Sequence, residues 1–211
     1  MKYEWKKKEK ELYLSKATPC IIEVPKQRFF MISGKGNPNE LDFSERVGVL
    51  YSLSYAVRMM PKSGYTPKGY YEYTVYPLEG LWDMTEEGKE QNVLEKNELL
   101  YTIMIRQPEF VTDEVFERAL EAVRKKKPHP FLEEVLFGEV EDGLSVQMMH
   151  TGPYDDEPES FALMKSFIKE NGFEISTLVH REIYIKPKKE ECSKEELRKI
   201  KTVLRYRVKN K

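Results

Sequence analysis

The feature that most constrains this chain is an order of elements that occurs twice. Gln27 to Ser33 reads as a strand ending at Gly34 and Gly36. Asp42 with Glu45 offers a capping box, and Val47, Leu50, Tyr51, Ser54 and Val57 then keep helical spacing until Pro61. Tyr70 to Tyr76 alternates like a strand closed by Pro77, Pro77 to Trp82 reads as a turn-rich connection, and Leu99 to Arg106 is a β-branched-rich strand. Later, Gly143 to His150 reads as a strand running into Thr151-Gly152-Pro153. Pro158 opens a helix with Phe161, Met164, Phe167 and Ile168 on its apolar face, and Gly172 caps it. Val179 to Lys186 is a strand closed by Pro187, Ser193 and Glu196 form a second capping box, and Thr202 to Lys209 is a last strand. Between the two series, a helix capped by Thr112 ends in Lys125, Lys126 and Lys127, as the macrodipole favours.

This order reads as an internal duplication, with halves at about 19–110 and 131–211, a linker helix at about 112–127 and a polar segment at 1–18 forming a surface helix or arm. Superposing Pro77 on Pro187 lays Tyr70–Tyr76 over His180–Lys186 and puts Glu72 on Glu182. Identity elsewhere is low, so chance matching is the competing explanation. The fold class expected is α+β: two pseudo-symmetric βαββ units, a mainly antiparallel sheet and a central ligand groove.

Composition narrows the function classes. Thirty-five basic against 36 acidic residues give a net charge of −1, without the basic excess of a dedicated nucleic-acid binder. The Lys/Glu-rich start lacks the apolar stretch of a signal peptide, and no run of about 18 apolar residues suggests a membrane span. Two distant cysteines and three dispersed histidines, His129, His150 and His180, make no metal pattern. A cytoplasmic protein with reduced thiols and no metal is expected. Gly34-Lys-Gly36 has Asn39 where a dinucleotide fingerprint needs its third glycine, and neither a Walker pattern nor a Gly-x-Ser-x-Gly elbow occurs. No cofactor is expected. Aromatic residues, at 12% with tyrosine the commonest, suit the walls of a pocket and equally suit half-buried strands.

Alternation places His180, Glu182 and Tyr184 on one face of their strand and Val179, Arg181, Ile183 and Ile185 on the other. The second set is mostly apolar and is expected to cover helices. By the repeat, Tyr70, Glu72, Thr74 and Tyr76 hold the matching face of the first half. Two such faces meeting would make an aromatic concavity with a carboxylate from each half. A carboxylate there is poorly hydrated, so its pKa is expected to rise. It would attract a cation or take a proton from water as a general base. The alternative is a solvated Glu182 on an open sheet face. Trp82 is either a lid over a ligand or a plug at the core edge. Tyr101 and His150 either line the cavity or pack structurally.

His180-Arg-Glu-Ile-Tyr-Ile-Lys-Pro187 resembles the closing strand of the GyrI-like (gyrase-inhibitor-like) small-molecule-binding domain, found also as the effector-binding part of multidrug-responsive transcription activators. Thr151-Gly152-Pro153-Tyr154 resembles that domain's second-half turn, and Tyr73 to Trp82 resembles a free-standing branch. The resemblance covers about residues 20–210. It implies two βαββ units of SHS2 type with a ligand groove between them and Glu182 in the groove. It further implies binding of planar aromatic or cationic small molecules and, as in some free-standing relatives, detoxifying hydrolysis of cyclopropanoid alkylators by water addition. Glu182 would then activate water. Trp82 and Tyr71 would hold the flat substrate, with Tyr70, Glu72, Tyr101, His150 and Tyr184 as further substrate contacts. A hydroxyl of Tyr184 or Tyr71 would donate to the dienone oxygen. A non-catalytic drug-sequestering protein and a protein inhibitor of gyrase are the alternatives.

Overall fold

The structure is a computed structural model that describes residues 2–91, 94–187 and 192–211. It is of the α+β class, and every strand pair whose register is described is antiparallel. The chain divides into two compact units. The first comprises residues 1–4, 27–78 and 82–140, and the second comprises 5–26, 79–81 and 141–211.

In the first unit, β2 (Gln27–Lys35) leads into α1 (Leu41–Met59), followed by β3 (Leu78–Met84), of which residues 79–81 are counted in the second unit, and β4 (Leu99–Arg106). β2 pairs with β4 on one side and with β5 (Leu136–Val140) on the other. Phe30, Leu50, Leu53, Ile103 and Ile105 are wholly buried. Helix α2 (Asp113–Lys126), capped by Thr112 Oγ accepting from the Val115 amide, packs here, with the Phe116 ring 5.0 Å from that of Phe30.

The second unit repeats the pattern: β6 (Gly143–Thr151), α3 (Glu157–Glu170), β7 (Phe173–Lys186) and β8 (Lys201–Asn210). β8 pairs with both β6 and β7, and β1 (Cys20–Val24) extends the sheet beside β6. Helix α3 lays Met164 and Ile168 on Val146, Met148, Leu204, Tyr206 and Val208. The predicted capping box forms, Ser193 and Glu196 exchanging both bonds.

Three expectations need correction. Tyr70–Tyr76 is not a strand: it carries one bridge, Tyr3 to Tyr73, and the strand begins after Pro77, where a turn was expected. The superposition of Glu72 on Glu182 therefore fails, because in one half the proline precedes its strand and in the other it follows. Asp42 is not a cap. The helix begins at Leu41, and Asp42 lies in its first turn, where it binds Arg46 four residues on at 2.8 Å. Residues 1–18 are not a purely surface arm. Two helical turns, Trp5–Lys8 and Lys10–Tyr13, bury Trp5 and Tyr13 with their rings 4.9 Å apart.

The helical turns cover one face of the second unit's sheet, and that face is ionic. Arg181 grips Asp142 through Nε at 2.7 Å and Nη2 at 2.9 Å, and reaches Glu79 at 2.9 Å. Arg205, opposite Arg181 in register, donates to Asp142, to the Gln147 side chain and to the Leu12 carbonyl. Gln147 in turn donates to the Glu11 carbonyl at 2.6 Å. Buried charges are tolerated only when each finds partners, and removing one strands the rest. Burial pushes the Asp142 carboxyl up, but Arg181 and Arg205 outweigh it and hold the group at about 2.

Asp142→Asn should lower unfolding free energy by about 3–5 kcal/mol at neutral pH. Because the folded-state pKa is depressed, Asp142's contribution is present above the unfolded value of about 3.9 and is lost as pH falls towards 2. Urea titrations of both proteins should therefore differ most at pH 7 and converge over that acidic window.

Candidate functional site

Strand β7 is buried on both faces over Arg181, Glu182, Ile183 and Tyr184. Alternation turns Arg181 to the ionic face and Glu182 to the other. Residues opposed in register share a face, and Glu182 lies opposite Leu204 and His180 opposite Tyr206. Leu204 and Tyr206 pack under α3. The helix therefore covers the His180–Glu182–Tyr184 face, the reverse of the expectation that Val179, Ile183 and Ile185 would face helices. The misleading signal is Arg181, whose face is filled by counterions rather than by apolar contacts. A bulge between Ile175 and His180 supplies the odd residue count that keeps both on the helix side.

Glu182 is 9% exposed. Its Oε1 accepts from His180 Nε2 at 3.1 Å and its Oε2 from the Tyr184 hydroxyl at 2.8 Å. The Phe161 ring of α3 stands edge-on to His180 at 4.7 Å, and the Tyr154 ring stands edge-on to Tyr184 at 6.0 Å. Burial first, and the Glu182 charge second, push the Tyr184 hydroxyl well above the ordinary tyrosine range, so it remains a donor. A second carboxyl-bearing residue completes the cluster. Glu157, first in α3, is buried and pushed up to about 9, by burial and then by the neighbouring Glu182 to which it hydrogen-bonds. Glu157 was missed in the sequence because Asp155-Asp156-Glu157-Pro158 reads as an ordinary acidic helix start. An anionic carboxylate with oriented donors, screened from bulk water, can hold a cation or remove a proton from water.

A family model described as the GyrI-like small molecule binding domain matches residues 17–207. The chain belongs to the GyrI-like family. Two solved structures described as hydrolases from Listeria innocua are similar to it at 34% and 35% identity, with TM-scores of 0.88 and 0.89, each covering 99% of this chain and 100% of theirs. The EcmrR C-terminal domain, at 14% identity and a TM-score of 0.52 over 92% of this chain and 98% of its own, shares the fold. No curated protein sequence matches. The GyrI-like chain has no helix long and apolar enough to cross a membrane, and no group of metal-ligating side chains, among the described residues.

The other predicted site residues fall as follows. His150 is buried, with Nε2–H donating to the Pro153 carbonyl at 3.0 Å and Nδ1 accepting from Ser160 at 2.9 Å. One nitrogen is thus engaged by the turn after β6 and the other by α3. Trp82 and Tyr101 lie together in the first unit. Trp82 is buried, stacks on Phe43 at 5.9 Å and tilts on Tyr101 at 5.5 Å. Tyr101 donates to Asp42 at 3.1 Å, and burial followed by Asp42 pushes its hydroxyl up to about 12. Tyr71 packs against Tyr3, Tyr73 and Phe110. Tyr70 and exposed Glu72 line a surface cleft of about 260 Å³ with Arg58, Met59, Pro61 and Lys62. Tyr70 donates to the Arg58 carbonyl at 2.9 Å.

Gly34 faces Tyr101 in register, and a Cβ there would overlap the Tyr101 ring and hydroxyl. Gly34→Ala should therefore displace Tyr101 and cost about 1–3 kcal/mol. Its signatures would be a lowered urea midpoint and altered near-ultraviolet dichroism from Trp82.

Proposed function

We propose that this GyrI-like protein binds planar aromatic small molecules and hydrolyses electrophilic cyclopropanoid compounds, a detoxifying water addition with Glu182 as general base. The observation that carries the reading is the Glu182 carboxylate, nine-tenths buried and held by His180 and Tyr184. The similar Listeria structures described as hydrolases support an enzymatic role.

The step balances without a cofactor. Glu182 takes a proton from water as the water oxygen bonds to a cyclopropane carbon. The ring C–C bond breaks, and its electron pair runs through the dienone to the carbonyl oxygen. That oxygen becomes a phenolate and is protonated, while Glu182 returns its proton to solvent. The Tyr184 hydroxyl is engaged by Glu182, so Tyr184 acts by orienting the base rather than by donating to the dienone. His180, with its ring fixed by Phe161, orients the other oxygen.

Incubation with a spirocyclopropane-dienone alkylator, followed by mass spectrometry, should show product heavier by one water. Glu182→Gln should lower kcat by about 10²–10⁴ while ligand-induced fluorescence quenching persists. Tyr184→Phe should cost about 10- to 100-fold in kcat, the worth of one hydrogen bond to a charged group. Stoichiometric binding without product would replace the enzyme with a drug-sequestering protein. Co-elution with gyrase, insensitive to Glu182→Gln, would point to a gyrase inhibitor.

A further inference from the structure

The cleft that Tyr70 and Glu72 line lies within the first unit, and none of its residues belongs to the Glu182 cluster. Local structure fixes its frame. Arg58 and Met59 close α1, and Met60–Ser63 continues as a tighter helical turn that Gly64 ends in the left-handed region. The Tyr70 hydroxyl is tied to that helix end by donating to the Arg58 carbonyl at 2.9 Å, and its ring packs on Phe110 at 5.1 Å. The hollow so framed measures about 260 Å³ and is lined by Met59, Pro61 and Tyr70 together with the charged Arg58, Lys62 and Glu72. Those charges are uncommitted. Arg28, Arg46, Arg118 and Arg124 of the same unit each hold a carboxylate. Arg58, Lys62 and Glu72 make no ion pair among the described residues, although opposite signs share one cleft. The Arg58 guanidinium has only the Tyr55 ring near it, at 5.9 Å, which leaves its N–H donors unspent.

We propose that this cleft binds an amino-acid-sized zwitterion with an apolar side chain, its carboxylate on Arg58 and Lys62, its ammonium on Glu72 and its side chain on Met59, Pro61 and Tyr70. Its occupancy does not depend on the chemistry assigned to Glu182.

Size and charge select this class. Drug-sized sites run to roughly 300–1,000 Å³, and a cleft of about 260 Å³ suits a smaller molecule. A simple anion would be attracted by Arg58 and Lys62 but repelled by Glu72, and a simple cation would meet the reverse. A molecule carrying both charges finds a partner for each. The planar guanidinium fork matches a carboxylate, and the ring of Tyr70, held by its bonded hydroxyl, offers a fixed apolar wall. Burial first, and the Glu72 charge second, raise the pKa of that hydroxyl, while Arg58 opposes them, as expected of two opposite charges flanking one ring. The charged groups are largely open to water, so each ion pair with ligand is worth only about two- to fivefold in affinity. A dissociation constant of about 1 mM follows for a molecule of this size.

The test uses the full chain and three matched probes: L-leucine, N-acetyl-leucine, which lacks the ammonium, and leucinamide, which lacks the carboxylate. An aliphatic side chain keeps the probes apart from planar aromatic ligands. Binding is followed by the methyl NMR signal of Met59, assigned through its loss in Met59→Leu. Leucine should shift that signal saturably, and each of the other two should bind about two- to fivefold more weakly. Glu72→Gln should remove the advantage of leucine over N-acetyl-leucine, and Arg58→Gln should shrink its advantage over leucinamide. Both advantages should diminish in high salt. Thermal unfolding of the variants shows whether each keeps its fold, and the two substitutions change different comparisons, so a general loss of structure would not reproduce the pattern. The site is overturned if leucine gives no saturable shift at tens of millimolar. Equal binding of the three probes, or tighter binding of N-acetyl-leucine, overturns the zwitterion. A leucine shift that survives unchanged in both Glu72→Gln and Arg58→Gln overturns the assignment to this cleft.

Discussion

Two adjacent ionisable residues on one strand, Arg181 and Glu182, are buried on opposite faces, and the second unit is organised around making both tolerable. Neither could be desolvated alone. Arg181 is neutralised by Asp142 and Glu79, in a layer that Arg205 and Gln147 join to the carbonyls of Glu11 and Leu12. Glu182 is held by hydrogen bonds from its own strand neighbours, with buried Glu157 of α3 beside it. The ionic layer anchors the strand, and the anchored strand presents the carboxylate in a fixed orientation. Preorganisation of this kind makes a carboxylate useful as a base, since its hydrogen bonds need no rearrangement as charge moves.

The N-terminal turns take part in the same arrangement. Trp5 and Tyr13 bury their rings, and the carbonyls of Glu11 and Leu12 end the hydrogen-bond chain from Arg205 and Gln147. The matched family region begins at residue 17, so the second unit of this GyrI-like chain draws part of its buried polar satisfaction from outside that region. The two units share an order of strand, helix, strand, strand. They use it differently, with a stacked Phe43–Trp82–Tyr101 cluster in the first and a titratable cluster in the second.

Much of the fold was legible because its signals are local. Thr112, Ser193 and Gly172 mark helix ends through hydrogen bonds or a backbone angle that neighbouring residues settle. Period-2 alternation placed His180, Glu182 and Tyr184 on one face, and their mutual hydrogen bonds bear that out. Failures arose where two local readings compete. The tyrosine-rich run before Pro77 alternates like a strand yet carries only an isolated bridge at Tyr73, whereas Leu78–Met84, with its glycine, is the strand. Asp42 has the spacing of a cap but is drawn to Arg46 and Tyr101.

The sequence by itself determined the α+β class, the family, and the side of the strand on which Glu182 lies, because each depends on periodicity or on short motifs within a few residues. Tertiary structure alone decided which layer covers that side. It also decided that Arg181 is buried rather than solvated, that His150 bonds Pro153 and Ser160, and that Glu157 lies beside Glu182. Those outcomes depend on charges and donors that lie tens of residues apart and become neighbours only when the sheet and α3 close over them.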